Sequence, residues 1–94
     1  MDIARSDIVK ASAGRDQGKF FFVLGVEEDF LLLADGKTRK LERPKRKKRK
    51  HTAFLARSDS RTAGKIRSGE KLTNSELRKT LAQFGGDGNP DQEG

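Results

Sequence analysis

The alternation of apolar and polar residues predicts several short β-strands in the first half of the chain. Across residues 7–13, apolar side chains occupy every second position, which is typical of a half-buried strand. Two apolar segments follow at residues 20–26 and 30–34, and only the acidic turn at residues 27–29 separates them. Both segments are rich in aromatic or branched residues. We therefore expect them to form an antiparallel hairpin.

Glycine-containing segments predict the turns between these strands. The loop at residues 14–19 contains two glycines that can adopt positive φ, together with an aspartate that can bond to its own backbone. Asp35-Gly36 is the strongest short hairpin signal in the chain. It predicts that residues 37–41 return as a further strand.

The two central strands are apolar on both faces, whereas a small barrel buries only its inner face. Another part of the chain must therefore cover the outer face. The sequence offers two candidates, Phe54-Leu55 and a helix near the C-terminus.

That helix is predicted over residues 73–84. Thr73 and Glu76 have the spacing of a capping box, and Leu72 and Leu77 have the spacing of a hydrophobic staple. Gly85 is placed to end the helix. An apolar stripe is formed by Leu77, Leu81 and Phe84. A helix this short is marginal alone in water, so we expect it to dock on the exposed apolar face of the strands. The alternative is that this stripe binds a groove on another protein.

The distribution of charge along the chain says more about function than the overall composition does. The 94 residues include 21 Lys plus Arg and 14 Asp plus Glu, a net charge of +7. Residues 37–51 contain ten basic residues and one acidic residue, Glu42, so this segment alone has a charge of +9. Six consecutive cations at residues 45–50 repel one another and resist collapse into a core. A polyanion is the natural partner of such a segment, although a nuclear-localisation signal is a competing interpretation.

Composition argues against several other functions. There is no cysteine and only one histidine, which excludes a disulfide framework, a thiolate zinc site and a cysteine nucleophile. The acidic turn at residues 27–29 lacks a second set of ligands, so we expect no metal site, no cofactor and no catalytic residues. No apolar stretch approaches the roughly 20 residues that a membrane span needs, and we expect a soluble cytoplasmic protein that is not an enzyme.

Residues 7–26 also resemble a known motif. Asp7-Ile8-Val9-Lys10-Ala11, the loop through Gly18-Lys19, and Phe22-Val23-Leu24-Gly25-Val26 resemble the KOW motif, in which a strand leads through a glycine-containing loop into a second strand. The resemblance covers about residues 5–54. The segments Leu33-Ala34-Asp35-Gly36 and Arg39-Lys40-Leu41-Glu42-Arg43-Pro44 make it similar to KOW-type large-subunit ribosomal proteins and to small bacterial KOW-domain RNA-binding proteins.

The resemblance implies a mainly β fold with a small SH3-like β-barrel of the KOW type, to which the capping and apolar signals add one C-terminal α-helix. It also implies binding to ribosomal or other structured RNA, and hence a role in translation. We expect the barrel at residues 1–55, with its basic segment at 37–51. A flexible linker at 56–72, the amphipathic helix at 73–84 and a disordered tail at 85–94 would follow.

The candidate RNA-binding residues combine the predicted loop with the basic segment. Small residues in the loop would let a phosphate backbone approach closely, and the cations would bind phosphates. The candidates are Arg15, Gly18, Lys19, Arg39, Lys40, Arg43, Lys45, Arg46, Lys47, Lys48, Arg49 and Lys50. Two simpler interpretations stay open, since the loop glycines can serve turn geometry alone and a charged run can be merely solvated.

Two further hypotheses concern base stacking and binding to another protein. At most one phenylalanine is expected to be exposed for base stacking, and Phe21 is the candidate because its neighbours Phe20 and Phe22 share the expected inner face. The alternative function is a KOW-type protein-interaction module of a transcription or translation factor, with a ribosomal or other protein partner bound through the C-terminal helix.

Overall fold

The computed structural model describes residues 2–85, which form five strands and two α-helices. The elements in chain order are β1 (Ile8–Ala11), β2 (Phe20–Glu27), β3 (Phe30–Ala34), β4 (Lys45–Lys48), a 3₁₀ turn (Arg49–His51), β5 (Thr52–Ala56), α1 (Arg61–Ser68) and α2 (Asn74–Gly85). All strands belong to one antiparallel sheet with the order β4-β3-β2-β1-β5. The predicted mainly β class is confirmed, and two helices are present where one was predicted. Apart from Gly85, the predicted tail lies outside the described residues.

The connection between β4 and β5 forces the sheet to curl. These strands are the two edges of the sheet, yet only the three-residue 3₁₀ turn separates them in the chain. In a flat five-stranded sheet the edges would lie about 19 Å apart, whereas the four residue steps from Lys48 to Thr52 span at most about 14 Å. The edges must therefore approach each other. Within residues 2–85, β4 and β5 are not paired as neighbours, so the expected barrel is not closed by strand pairing.

The hairpin predicted around the acidic turn is confirmed. β2 pairs with β3 in a register that places Val26 opposite Leu31 and Glu27 opposite Phe30. Glu28 takes a positive φ of 46° in the connecting turn. A register shift between Val23 and Gly25 interrupts the ladder.

The strand predicted at residues 37–41 is wrong. The carboxylate of Asp35 accepts hydrogen bonds from the backbone N–H groups of residues 37–39 at 2.8–3.0 Å, which holds this segment in a tight turn. Aspartate side chains compete in this way with ladder formation. The strand that pairs with β3 is instead β4, with Lys45 opposite Leu33 and Lys48 opposite Phe30.

Both faces of the sheet are buried, as the apolar pattern indicated. One face carries a sheet cluster, consisting of Ile3, Val9, Ala11, Phe21, Val23, Leu31 and Leu33, against which Phe54 packs. The other carries a helix cluster, consisting of Ile8, Phe22, Ala34, Ala63, Ile66, Leu77 and Leu81, against which Leu55 packs. Both candidates for covering the sheet are therefore used, and the predicted docking of the C-terminal helix is confirmed.

The flexible linker predicted at residues 56–72 is wrong, because this segment contains α1. Ser60 caps the helix by accepting a hydrogen bond from the Ala63 N–H at 3.1 Å, and Gly69 ends it at φ +77°. Only eight residues are helical and few of them are apolar, so the sequence shows no clear periodicity. Burial of Ala63 and Ile66 against α2 and the sheet stabilises the helix.

The capping box predicted for α2 is present. The Thr73 N–H donates to Glu76 Oε1 at 2.9 Å, and the Glu76 N–H donates to Thr73 Oγ1 at 3.2 Å. Lys65 Nζ of α1 also donates to Glu76 Oε2 at 2.5 Å, and this hydrogen bond is the main reason that the pKa of Glu76 lies below its usual value.

Phe84 remains 41% exposed and meets the Phe20 ring edge-on. No helix among residues 2–85 has the length and apolar character needed to span a bilayer.

Gly36 should be the most sensitive glycine at the helix–sheet contact. It has a φ of +77°, and a Cβ there would lie 2.2 Å from the carbonyl oxygen of Asn74, the first residue of α2. We expect Gly36→Ala to lower the free energy of unfolding by about 3 kcal/mol or more, measured by urea denaturation. Gly69→Ala is the matched control, because Gly69 has the same φ with nothing within 4 Å of its Cβ position. It should cost about 1–2 kcal/mol. Equal losses for the two variants would contradict the close approach.

Candidate nucleic-acid interface

The six consecutive cations form regular structure. Lys45–Lys48 form strand β4, and the next three residues form the 3₁₀ turn. The expectation that the whole run stays out of the core is wrong for Lys47, which is only 9% exposed. Lys47 lies opposite Leu31 and therefore shares the face of the sheet cluster. A lysine can be accommodated there because its aliphatic chain packs while its charged end reaches polar groups.

The charged end of Lys47 reaches the loop between β1 and β2. A Cβ at Gly14 would lie 3.2 Å from Lys47 Nζ, so the strand and the loop approach closely at this point. Gly14 and Gly18 both have positive φ, 83° and 90°, as predicted for this loop. The basic strand and the candidate loop are therefore neighbours in space.

Asp16 lies at the centre of this junction. It is 4% exposed, and its carboxylate accepts a hydrogen bond from Arg39 Nη2 at 2.9 Å and lies 3.6 Å from Lys19 Nζ. Burial acts to raise its pKa, but the Arg39 hydrogen bond and the charges of Arg39, Lys19 and Lys47 outweigh burial and hold the pKa below its usual value. Asp16 thus pairs with Arg39 and Lys19 and offsets part of the charge of Lys47.

The 3₁₀ turn is fixed by two loops. The Arg49 N–H donates to the carbonyl of Asp29, in the β2–β3 turn, at 2.7 Å. The Ser12 N–H, at the start of the β1–β2 loop, donates to the carbonyl of His51 at 2.8 Å. A depression of about 470 Å³ lies beside the turn, lined by Asp29, Phe30, Lys48, Arg49 and Lys50.

Arg46 is fixed on the opposite face of β4 from Lys47. Its guanidinium carbon lies 3.7 Å from the centroid of the Phe30 ring, and its Nε donates to Glu27 Oε1 at 3.0 Å. The Arg46 side chain is nevertheless 57% exposed. An arginine held in this way loses little conformational entropy when it binds a ligand.

Lys40 and Arg43 occupy a separate turn that is anchored to α2. The Arg43 N–H donates to the carbonyl of Lys40 at 2.9 Å, and the Asn74 side chain bonds to the residues between them, Leu41 and Glu42. The Asn74 hydrogen bond is the main reason that the pKa of Glu42 lies below its usual value. Both cations are exposed.

The predicted site residues therefore fall into three groups. The junction around Asp16 brings the β1–β2 loop together with Arg39 and Lys47, while the 3₁₀ turn presents a second group and the Lys40–Arg43 turn a third. Exposed members are Arg15, Gly18, Lys40, Arg43, Arg46, Lys48 and Lys50, and the half-buried members are Lys19, Arg39, Lys45 and Arg49.

The prediction that Phe21 is exposed is wrong. Phe21 is fully buried in the sheet cluster, whereas Phe20 and Phe22 lie on the helix side. The half-buried aromatic residue beside the cations is Phe30, which the sequence analysis did not single out. The role of Asp16 was also not predicted from the sequence. The available signals were the position of Asp16 between two glycines and that of Phe30 directly after the acidic turn.

No protein-family model matches the chain, and no curated protein matches it at a significant level. Within residues 2–85, no three His, Cys, Asp or Glu side chains are grouped so that they could hold a metal ion.

Replacing Asp16 should destabilise the protein in a pH-dependent way. Asp16→Asn removes the charge that compensates Arg39, Lys19 and Lys47, so we expect a loss of about 1–3 kcal/mol in unfolding free energy at pH 7. Folding lowers the pKa of Asp16. The ionised carboxylate therefore makes its full contribution to the free energy of unfolding above its pKa in the unfolded chain, near 4, and this contribution disappears as the pH falls through its lower pKa in the folded protein. Urea denaturation at neutral and strongly acidic pH should show the two proteins converging at low pH.

The exposed residue Asp59 provides the control for this substitution. Asp59→Asn should change the free energy of unfolding by less than about 0.5 kcal/mol. If Asp16→Asn behaved like Asp59→Asn at pH 7, the proposed role of Asp16 in stabilising the junction would be refuted.

Proposed function

We propose that this protein binds RNA through the basic surface formed by the β1–β2 loop, β4 and the 3₁₀ turn. The observation that carries the proposal is that six consecutive cations are built into an ordered strand and turn instead of a flexible segment. Ordering side chains before binding reduces the entropy cost of association. A phosphate backbone is the polyanion that such an array fits best.

Contacts between acidic and basic side chains within this basic surface support the proposal. Acidic side chains on neighbouring elements offset part of the repulsion among the cations of β4, because Glu27 pairs with Arg46 and the charge of Asp16 acts on Lys47. Lys48 and Lys50 are exposed and carry no acidic partner in the ion pairs described for residues 2–85. Their charge is thus presented outward, where it can bind phosphates.

The strand order and the 3₁₀ turn support a finer assignment of the fold. We propose that the curled sheet is an SH3-like barrel of the KOW type, because its β1–loop–β2 unit contains the residues that resemble the KOW motif and Gly18 has the positive φ that such a loop requires. The same resemblance leads us to propose ribosomal RNA as the target and translation in the cytoplasm as the setting.

A salt series with charge-matched variants tests the binding proposal. The triple substitution Arg15→Gln, Lys48→Gln and Lys50→Gln removes three exposed cations from the surface. If each contacts a phosphate, the slope of log affinity against log salt concentration should decrease by about 2–3. Binding to a structured RNA would be measured by fluorescence anisotropy from low to moderate salt.

The control removes three exposed cations elsewhere. Arg61→Gln, Lys71→Gln and Lys79→Gln change the net charge by the same amount but lie on or beside the two helices. We expect this variant to change the slope by less than about 1. Equal effects of the two triple variants would mean that net charge, and not the described surface, governs binding. Absence of RNA binding by the unaltered protein at low salt would refute the proposal.

A further inference from the structure

Phe30 is an aromatic residue that the core does not use. It is the first residue of β3, it is half-buried, and it belongs to neither the sheet cluster nor the helix cluster. Phenylalanine in a strand is ordinarily a core residue. One face of its ring instead lies against the guanidinium of Arg46, and the ring forms part of the wall of the depression beside the 3₁₀ turn.

The lining of this depression combines the groups that bind a nucleotide. Phe30 supplies an apolar ring, Asp29 supplies hydrogen-bond acceptors, and Lys48, Arg49 and Lys50 supply positive charge. Its volume of about 470 Å³ lies within the range of small-ligand sites. Hydrogen bonds of the backbone at Asp29, Arg49 and His51 hold the walls in place, so that the depression is already formed without a ligand.

We propose that this depression binds an unpaired nucleotide of RNA, with the base stacked on the face of the Phe30 ring that Arg46 does not cover and with the adjacent phosphates on Lys48 and Lys50. This inference rests on the proposed RNA-binding function and adds the structural class of RNA that is recognised. Bases in a duplex present only their edges, whereas an unpaired base can leave the stack and place its face on an aromatic ring. The site therefore favours loops, bulges or single strands.

An RNA partner fits this depression better than a protein partner does. Three of the five lining residues are cations, and the segment from residue 37 to residue 51 has a net charge of +9. Interfaces between proteins are depleted of lysine at their centres. The combination of an aromatic ring with several cations is instead the arrangement that binds single-stranded nucleic acid by stacking and electrostatic attraction.

The test compares two RNAs with equal numbers of phosphates, a stem–loop with an unpaired loop and a blunt duplex. The unaltered protein should bind the stem–loop about 5- to 150-fold more tightly, as expected for the stacking of one base on an aromatic side chain. Phe30→Leu keeps an apolar side chain but removes the aromatic ring. We expect it to abolish this preference while leaving the salt slope unchanged, because the number of cations that can contact phosphates stays the same.

Phe84→Leu is the matched control, because Phe84 is another phenylalanine that is not buried, 41% exposed, but it lies on α2. It should leave the stem–loop preference intact.

A second measurement uses no variant: 2-aminopurine placed in the loop should lose fluorescence on binding to the unaltered protein, because stacking quenches its fluorescence. Phe30→Tyr should retain both the preference and the quenching.

The outcomes distinguish the inference from the function on which it rests. Salt-dependent binding with equal affinity for both RNAs and no quenching would overturn the inference and leave RNA binding in place. Loss of the preference in Phe84→Leu as well as in Phe30→Leu would also overturn it. Failure to bind either RNA at low salt would refute both proposals, and the depression would then be a candidate for a protein ligand.

Discussion

The short connection between β4 and β5 determines the shape of the sheet and the position of its charged residues. Three residues join the two edges of a five-stranded sheet, so the sheet must curl until its edges approach each other. The turn that makes this connection consists of Arg49, Lys50 and His51, and the strand before it contains four cations. The curvature therefore determines where the charge is displayed, between the β1–β2 loop and the β2–β3 turn.

Ordering so many like charges requires compensation, and the structure supplies it at specific points. Asp16 is buried beside Arg39, Lys19 and Lys47, and Glu27 holds Arg46. The two acidic residues offset part of the charge of these four cations, while Lys48 and Lys50 are exposed and have no described acidic partner. The same arrangement that makes the strand stable thus leaves an outward-facing positive surface, which is the basis of the proposed RNA binding.

The helices stabilise the sheet from the side away from the sheet cluster. α2 packs its buried residues Leu77 and Leu81 against the outer apolar face, and its first residue lies against Gly36. The Asp35–Arg39 turn is therefore held between α2 on one side and Asp16 on the other. Helix packing and the charged junction are connected through this one turn.

The β1–β2–β3 meander, the capped C-terminal helix and the location of the positive charge could be predicted from the amino-acid sequence, because period-2 alternation, the capping box and runs of like residues are local signals. Long-range packing instead explains why residues 37–41 form a turn, why α1 exists, why Lys47 is buried and why Phe30 rather than Phe21 is partly exposed. These outcomes depend on residues distant in the chain: β4 replaces the expected strand, α2 covers α1, and Asp16 compensates Lys47. Local patterns cannot encode partners that only the curled sheet brings together.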